Sequence, residues 1–130
     1  MACRKAVIAV LDDDEPVRKA VMRLLRSAGY SACGFTSGYD LLASWSSVRP
    51  DCIVLDLQMP GLSGLDVHRR LSADGAHIPT IMITASDELR VLEQCLDEGA
   101  SVCLRKPLED HLLLAAVAQV RVKPDGVRKN

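Results

Sequence analysis

Short apolar runs separated by longer amphipathic stretches constrain this chain more than any other feature of its sequence. Ala6-Val-Ile-Ala-Val-Leu11, Cys52-Ile-Val-Leu55 and Thr80-Ile-Met-Ile83 lack the every-second-residue polar break of a half-solvated strand. Runs of that kind suit strands covered by helices on both faces. Five strand-helix units can be counted, and such alternation builds a parallel sheet of the α/β class. The three runs are expected to be its central strands. Ser31 to Phe35 and Ser101 to Leu104 are shorter and more mixed, which suits strands nearer the edges.

The intervening stretches read as helices. Val17, Ala20, Val21, Leu24, Leu25 and Ala28 recur at helical spacing, with Gly29 as the stop. Leu41, Leu42 and Trp45 mark a second helix behind Ser37, and Ser63-Gly-Leu-Asp66 has the form of a capping box opening a third. Ser86-Asp-Glu opens a fourth with acids in its first turn, and Leu89, Leu92, Cys95 and Leu96 form its expected buried stripe before Gly99. Leu112, Leu113, Ala116, Val117 and Val120 belong to a fifth.

At 130 residues, 48% apolar and 25% charged, the chain has the size of one globular domain and can bury a core without disulfides or a structural metal. Its formal charge of -1 is too balanced for a strong nucleic-acid field, so direct binding to nucleic acid is not expected. Cys3, Cys33, Cys52, Cys95 and Cys103 form no CxxC pair and sit mostly among apolar neighbours, as reduced, buried thiols do. The apolar stretch from Ala6 runs into Asp12 after Leu11. It is too short for a signal peptide or membrane span, and a cytoplasmic location is the default expectation. Residues 121–130 carry Arg121, Lys123, Arg128 and Lys129 against Asp125. The expected organisation is one domain over residues 1–120 and a flexible basic tail, or the start of a linker, over 121–130.

In an open parallel sheet, ligands sit beyond the carboxyl ends of the strands. Here those ends are polar: Asp12, Asp13 and Asp14 follow the first run, Asp56 the third, Thr84 the fourth and Lys106 the fifth. Neighbouring strands lie about 4.8 Å apart. With the third strand between the first and fourth, Lys106 starts roughly 10 Å away, a gap a lysine side chain can largely cross. Clustered carboxylates share protons or bind a hard cation, and oxygen-only ligation favours Mg²⁺. A hydroxyl and an ammonium opposite them supply what the remaining oxygens of a phosphoryl group need. The constellation reads as a phosphoryl-transfer site with an aspartate acceptor.

Leu11-Asp-Asp-Asp-Glu-Pro-Val-Arg18, Asp56-Leu-Gln-Met-Pro-Gly-Leu-Ser-Gly-Leu-Asp66, Ile83-Thr-Ala85 and Lys106-Pro107 resemble the receiver domains of two-component response regulators, over about residues 5 to 120. The Met-Pro-Gly-Leu-Ser-Gly run is most similar to regulators whose receivers precede a helix-turn-helix output domain. The resemblance implies a flavodoxin-like (βα)5 doubly wound fold with sheet order 2-1-3-4-5, an order the general description of doubly wound sheets already gives for this family. It implies Asp56 as phosphoacceptor and also as a Mg²⁺ ligand, with Asp13 as principal Mg²⁺ carboxylate, Asp12 assisting, and the backbone carbonyl of Gln58 as a further metal ligand. Thr84 and Lys106 would each contact a phosphoryl oxygen. The side chains of Gln58 and Ser86 would sit where phosphoryl lifetime is tuned, and the Lys106-Pro107 bond would be cis. The implied donor is a sensor histidine kinase or phosphotransfer protein. The chain would not be an enzyme beyond its own phosphorylation and dephosphorylation. Partner contacts would lie on the fourth helix, fifth strand and fifth helix, serving transcription regulation through an attached or separate output domain, with a homodimer on phosphorylation as an option.

Two positions depart from the family pattern. Cys103 stands where an aromatic ring usually swings inward, and Leu108 replaces a frequent aromatic after the proline. A thiol cannot reproduce the rotamer switch, although neither position is an expected phosphate ligand. Two other readings compete. One is a phosphatase resembling the haloacid dehalogenase group, disfavoured because Pro16 follows Asp12-Asp-Asp14-Glu where that motif needs Thr or Val. The other is an interaction module that has abandoned phosphorylation, disfavoured by the intact acids and lysine. His68, His77 and His111 show no metal spacing and are expected on the surface, and Trp45 is expected to pack.

Overall fold

The computed structural model describes residues 5–75, 77–85 and 89–122. Five strands alternate with five helices: β1 (Val7–Leu11), α1 (Glu15–Ser27), β2 (Ser31–Phe35), α2 (Gly38–Val48), β3 (Cys52–Asp56), α3 (Gly64–Ala73), β4 (Thr80–Thr84), α4 (Leu89–Asp97), β5 (Val102–Arg105) and α5 (Asp110–Val122). All strand pairs are parallel and the sheet order is β2-β1-β3-β4-β5. The apolar runs are the three central strands, buried along nearly their whole length, and the mixed segments are the edges. β3 and β4 each run one residue past their apolar stretch, so Asp56 and Thr84 are the last residues of their strands.

Side chains alternate across the sheet and build a core on each face. Ile8, Val10, Cys52, Val54, Ile81 and Ile83 meet Val21 and Leu25 of α1 and Leu113, Ala116, Val117 and Val120 of α5. Ala9, Leu11, Ile53, Leu55 and Met82 meet Leu41 of α2, Val67 and Leu71 of α3 and Cys95 of α4. Trp45 packs against this second core.

The helix starts follow the capping chemistry of the sequence. Asp14 caps α1, with proline in its first turn; Ser37 caps α2; and Ser63 with Asp66 completes a reciprocal capping box on α3. Gly29 and Gly99 have φ of 98° and 105°, left-handed values that favour glycine after a helix.

Several helix positions differ from expectation. Leu96 of α4 and Leu112 of α5 are 53% and 46% exposed rather than buried, and Ala20 and Ala28 also face solvent. Each lies at the margin of its apolar stripe. Cys3, the acids expected to open the fourth helix at Ser86, and residues 123–130 of the expected tail lie outside the described residues.

Candidate functional site

Parallel pairing brings all five carboxyl ends of the strands to one edge of the sheet. Leu11 is in register with Leu55, Asp56 with Ile83 and Thr84 with Arg105. The ladder continues beyond the strands through Leu57 N–H to Ile83 O at 2.8 Å, Lys106 N–H to Thr84 O at 2.8 Å and Asp12 N–H to Phe35 O at 3.3 Å. These bonds fix where the first polar residue of each loop emerges. The six strand-end residues read from the sequence therefore lie along one edge.

The three consecutive acids after β1 divide into different positions. Asp14 turns to α1, where its Oδ1 accepts from Val17 N–H at 3.4 Å. Asp12 is 2% exposed, and its Oδ1 accepts from Asp14 N–H at 2.9 Å. Asp13 remains exposed. Asp56, 3% exposed, comes close enough that one carboxylate oxygen from each of Asp12, Asp13 and Asp56 lies within 4.8 Å of the others. Lys106 reaches in from beyond β5, its Nζ 3.4 Å from Asp56 Oδ2 and 3.5 Å from Asp12 Oδ2. The Lys106-Pro107 bond is cis.

This packing shifts the acid-base balance. Burial, then the charge of Asp12, pushes the Asp56 carboxyl up to about 6, against the opposing pull of Lys106 and of the Gln58 N–H, which donates to Asp56 Oδ1 at 3.3 Å. Burial alone would lower the Lys106 ammonium, but the charges of Asp56 and Asp12 and its hydrogen bonds to both outweigh it and move it upward. Three carboxylates around one ammonium leave two negative charges uncancelled. A donor set made of carboxylate oxygen, partly buried and doubly negative, fits a hard divalent cation such as Mg²⁺.

Thr84, fully buried, completes the edge. Its hydroxyl lies 3.4 Å from Gln58 Oε1, which also accepts from Ala85 N–H at 3.0 Å. The loop from β3 to α3 is pressed close to the site: a Cβ on Gly64 would stand 2.4 Å from the Asp56 carbonyl oxygen. Neither the grip of the Gln58 carboxamide nor the close approach at Gly64 is signalled by the sequence, because each depends on how a loop folds back across the sheet edge. Ser86 lies outside the described residues.

Cys103 sits on β5 against the α2-α3-α4 core, beside Cys95 of α4. Burial, and then the Cys95 contact, pushes the Cys103 thiol up to about 12. His68 corrects an expectation: it is buried at 8% exposure between α3 and the Gly99 turn, with no hydrogen-bond partner for Nδ1. Burial lowers its pKa, partly offset by the charge of Glu98. It lies on the helix face next to Val67, and a ring that can be buried neutral is not distinguished from a surface histidine by spacing. His77 and His111 are exposed as expected.

Comparison with known proteins gives a consistent picture. The family model described as the response regulator receiver domain matches residues 8–118. Nodulation protein W of Bradyrhizobium diazoefficiens is 37% identical over 116 residues, covering 89% of this chain and 51% of that protein. Transcriptional regulatory protein FixJ of Azorhizobium caulinodans is 36% identical over 110 residues, 85% of this chain and 52% of that protein. The chain thus spans about half the length of these relatives. Among solved structures, a response regulator receiver protein from Burkholderia phymatum superposes with a TM-score of 0.79 at 45% identity, covering 91% of this chain and 96% of that one.

Proposed function

The chain belongs to the response regulator receiver family, and from that membership we propose that Asp56 accepts a phosphoryl group from a phosphohistidine of a sensor kinase or phosphotransfer protein. Receiver domains are signalling modules rather than conventional enzymes. They interact with histidine kinases or phosphotransfer proteins and generally bind Mg²⁺ at an acidic pocket. The observation that carries the assignment is the convergence of Asp12, Asp13 and Asp56 within 4.8 Å, with Lys106 bridging two of them.

In the transfer, an Asp56 oxygen attacks phosphorus as the bond from phosphorus to the histidine nitrogen breaks, and the imidazole leaves with that electron pair. Asp56 must be ionised to attack, and Lys106 favours the ionised form against the upward push of burial. Asp13, Asp12 and Asp56, with the Gln58 backbone carbonyl, would hold the divalent cation, which supplies charge neutralisation at the phosphoryl oxygens. Thr84 Oγ1 and Lys106 Nζ each meet one of those oxygens. Loss of the phosphoryl group to water is then the domain's own reaction.

Exposed Leu96 and Leu112 on α4 and α5 support the surface around α4, β5 and α5 as the contact with a partner. An output function in transcription is supported by the relative named a transcriptional regulatory protein, with residues 1–120 as the receiver unit and 121–130 as tail or linker. A cytoplasmic setting fits this role; among the described residues no helix is long and apolar enough to cross a membrane.

The test is incubation with acetyl phosphate and Mg²⁺, read by intact mass. One phosphoryl group is expected, lost in Asp56→Asn and blocked by EDTA. Continuous turnover would indicate a phosphatase, and no uptake a phosphate-independent binding module. Lys106→Ala is expected to impair labelling far more than His111→Ala.

A further inference from the structure

Gln58 holds both sides of the site at once. Its backbone N–H donates to Asp56 Oδ1 at 3.3 Å, while its side-chain Oε1 accepts from Ala85 N–H at 3.0 Å and lies 3.4 Å from the Thr84 hydroxyl. The residue therefore reaches from the end of β3 to the end of β4, where Asp56 is in register with Ile83 and Thr84 follows.

A phosphoryl group on Asp56 would present three charged oxygens to the same space. Lys106 Nζ, 3.4 Å from Asp56 Oδ2, can meet one of them. The Thr84 hydroxyl and the Ala85 N–H are the neutral donors on the β4 side, and both already face the amide oxygen of Gln58. Hydrogen bonds to an ionised oxygen are about twice as strong as those to a neutral one. A phosphoryl oxygen therefore outcompetes the carboxamide, which must first leave. Gln58 is exposed, so its side chain can swing into water without opening a void.

Resting on the reading of Asp56 as phosphoacceptor, we propose that Gln58 is a positioning residue whose carboxamide oxygen fills the place of a phosphoryl oxygen in the unmodified protein. Phosphorylation evicts it and so releases the loop of residues 57–63 from the end of β4. Its two ends stay anchored, through Leu57 N–H to Ile83 O and the burial of Leu57 and Leu62 in the core, so the release is confined to the stretch around Gln58. This route for a conformational signal requires no aromatic rotation, which suits a chain whose ring position is Cys103, a free thiol packed in the core on the α2-α3-α4 face.

The experiment has two arms on the whole chain. Amide hydrogen exchange at Ala85, followed by NMR without metal or donor, compares wild type with Gln58→Met, Gln58→Ala and Gln58→Glu. Protection is expected in wild type and in Gln58→Glu, which keeps the acceptor oxygen, and to fall about three- to tenfold in the other two. Labelling with acetyl phosphate and Mg²⁺ is expected to run about three- to tenfold faster in Gln58→Met and Gln58→Ala than in wild type. Equal Ala85 exchange in wild type and Gln58→Met overturns the proposal, as does labelling no faster in either folded variant. No uptake in the wild type overturns the phosphoacceptor reading itself; normal uptake with no dependence on residue 58 overturns the eviction alone.

Discussion

Asp56 and His68 are both buried titratable groups, and they pull stability in opposite directions with pH. Asp56 titrates near 6 instead of the usual 3.8, so the folded chain holds that proton more tightly than the unfolded one. Its contribution is favourable at low pH and is lost as pH rises from about 4 through about 6. Without divalent metal at pH 7.5, Asp56→Asn is therefore expected to be more stable than wild type by about 1–2 kcal/mol, with the gap closing at pH 4 in urea titrations. His68 has the reverse sign. Its folded pKa lies below 6.5, so stability is lost as pH falls beneath that value, and His68→Phe is expected to flatten the decline between pH 7 and 5. A His68 variant with unchanged acid sensitivity would count against this assignment. At this scale Asp12, Asp56 and Thr84 are legible because each breaks an apolar run with a polar group at a strand end, and Asp13 and Lys106 because they follow directly on such an end. The Gln58 carboxamide and the buried ring of His68 are not, since their partners are set by loop geometry and by a neighbouring helix.

The α3 start shows how an element carries the site. Ser63 and Asp66 satisfy each other's backbone N–H groups, and Gly64 lets the helix begin against the Asp56 carbonyl. Ser63→Ala should cost about 1 kcal/mol through the lost cap. Gly64→Ala should cost roughly 1–3 kcal/mol, because its methyl meets backbone that must shift. Thermal and urea unfolding measure both, and Gly64→Ala should also slow labelling at Asp56, which Ser63→Ala should do less. A Gly64→Ala protein with wild-type stability and labelling would show that the loop yields without disturbing the strand end. The capping box is plain in the sequence because its chemistry is local. The contact of Gly64 with Asp56 is not, and Leu96 and Leu112 share the periodicity of the buried stripes of α4 and α5 yet stay exposed, because periodicity marks a face without marking its edge.

For the whole molecule, the alternation of elements and the continuity of three apolar runs were enough to establish a parallel sheet and its central strands. The mixed composition of β2 and β5 marks them as edge strands, but which edge each takes, β2 beside β1 and β5 beside β4, is not contained in that pattern; it comes from the resemblance and is seen in the sheet. The sheet separates two cores, one under α1 and α5 and the other under α2, α3 and α4. Ile8→Val in the first should cost about 0.5–1.5 kcal/mol and Leu71→Ala in the second about 2–5 kcal/mol. In denaturant titrations the double variant should equal their sum within about 0.5 kcal/mol, and a larger deviation would reveal coupling through the backbone. Such a partition also bears on how a protein of this shape diversifies. Substitutions accumulating beneath one helical layer meet little epistasis from the other, so each side can be reshaped by selection on its own timetable while the strand ends between them stay in place.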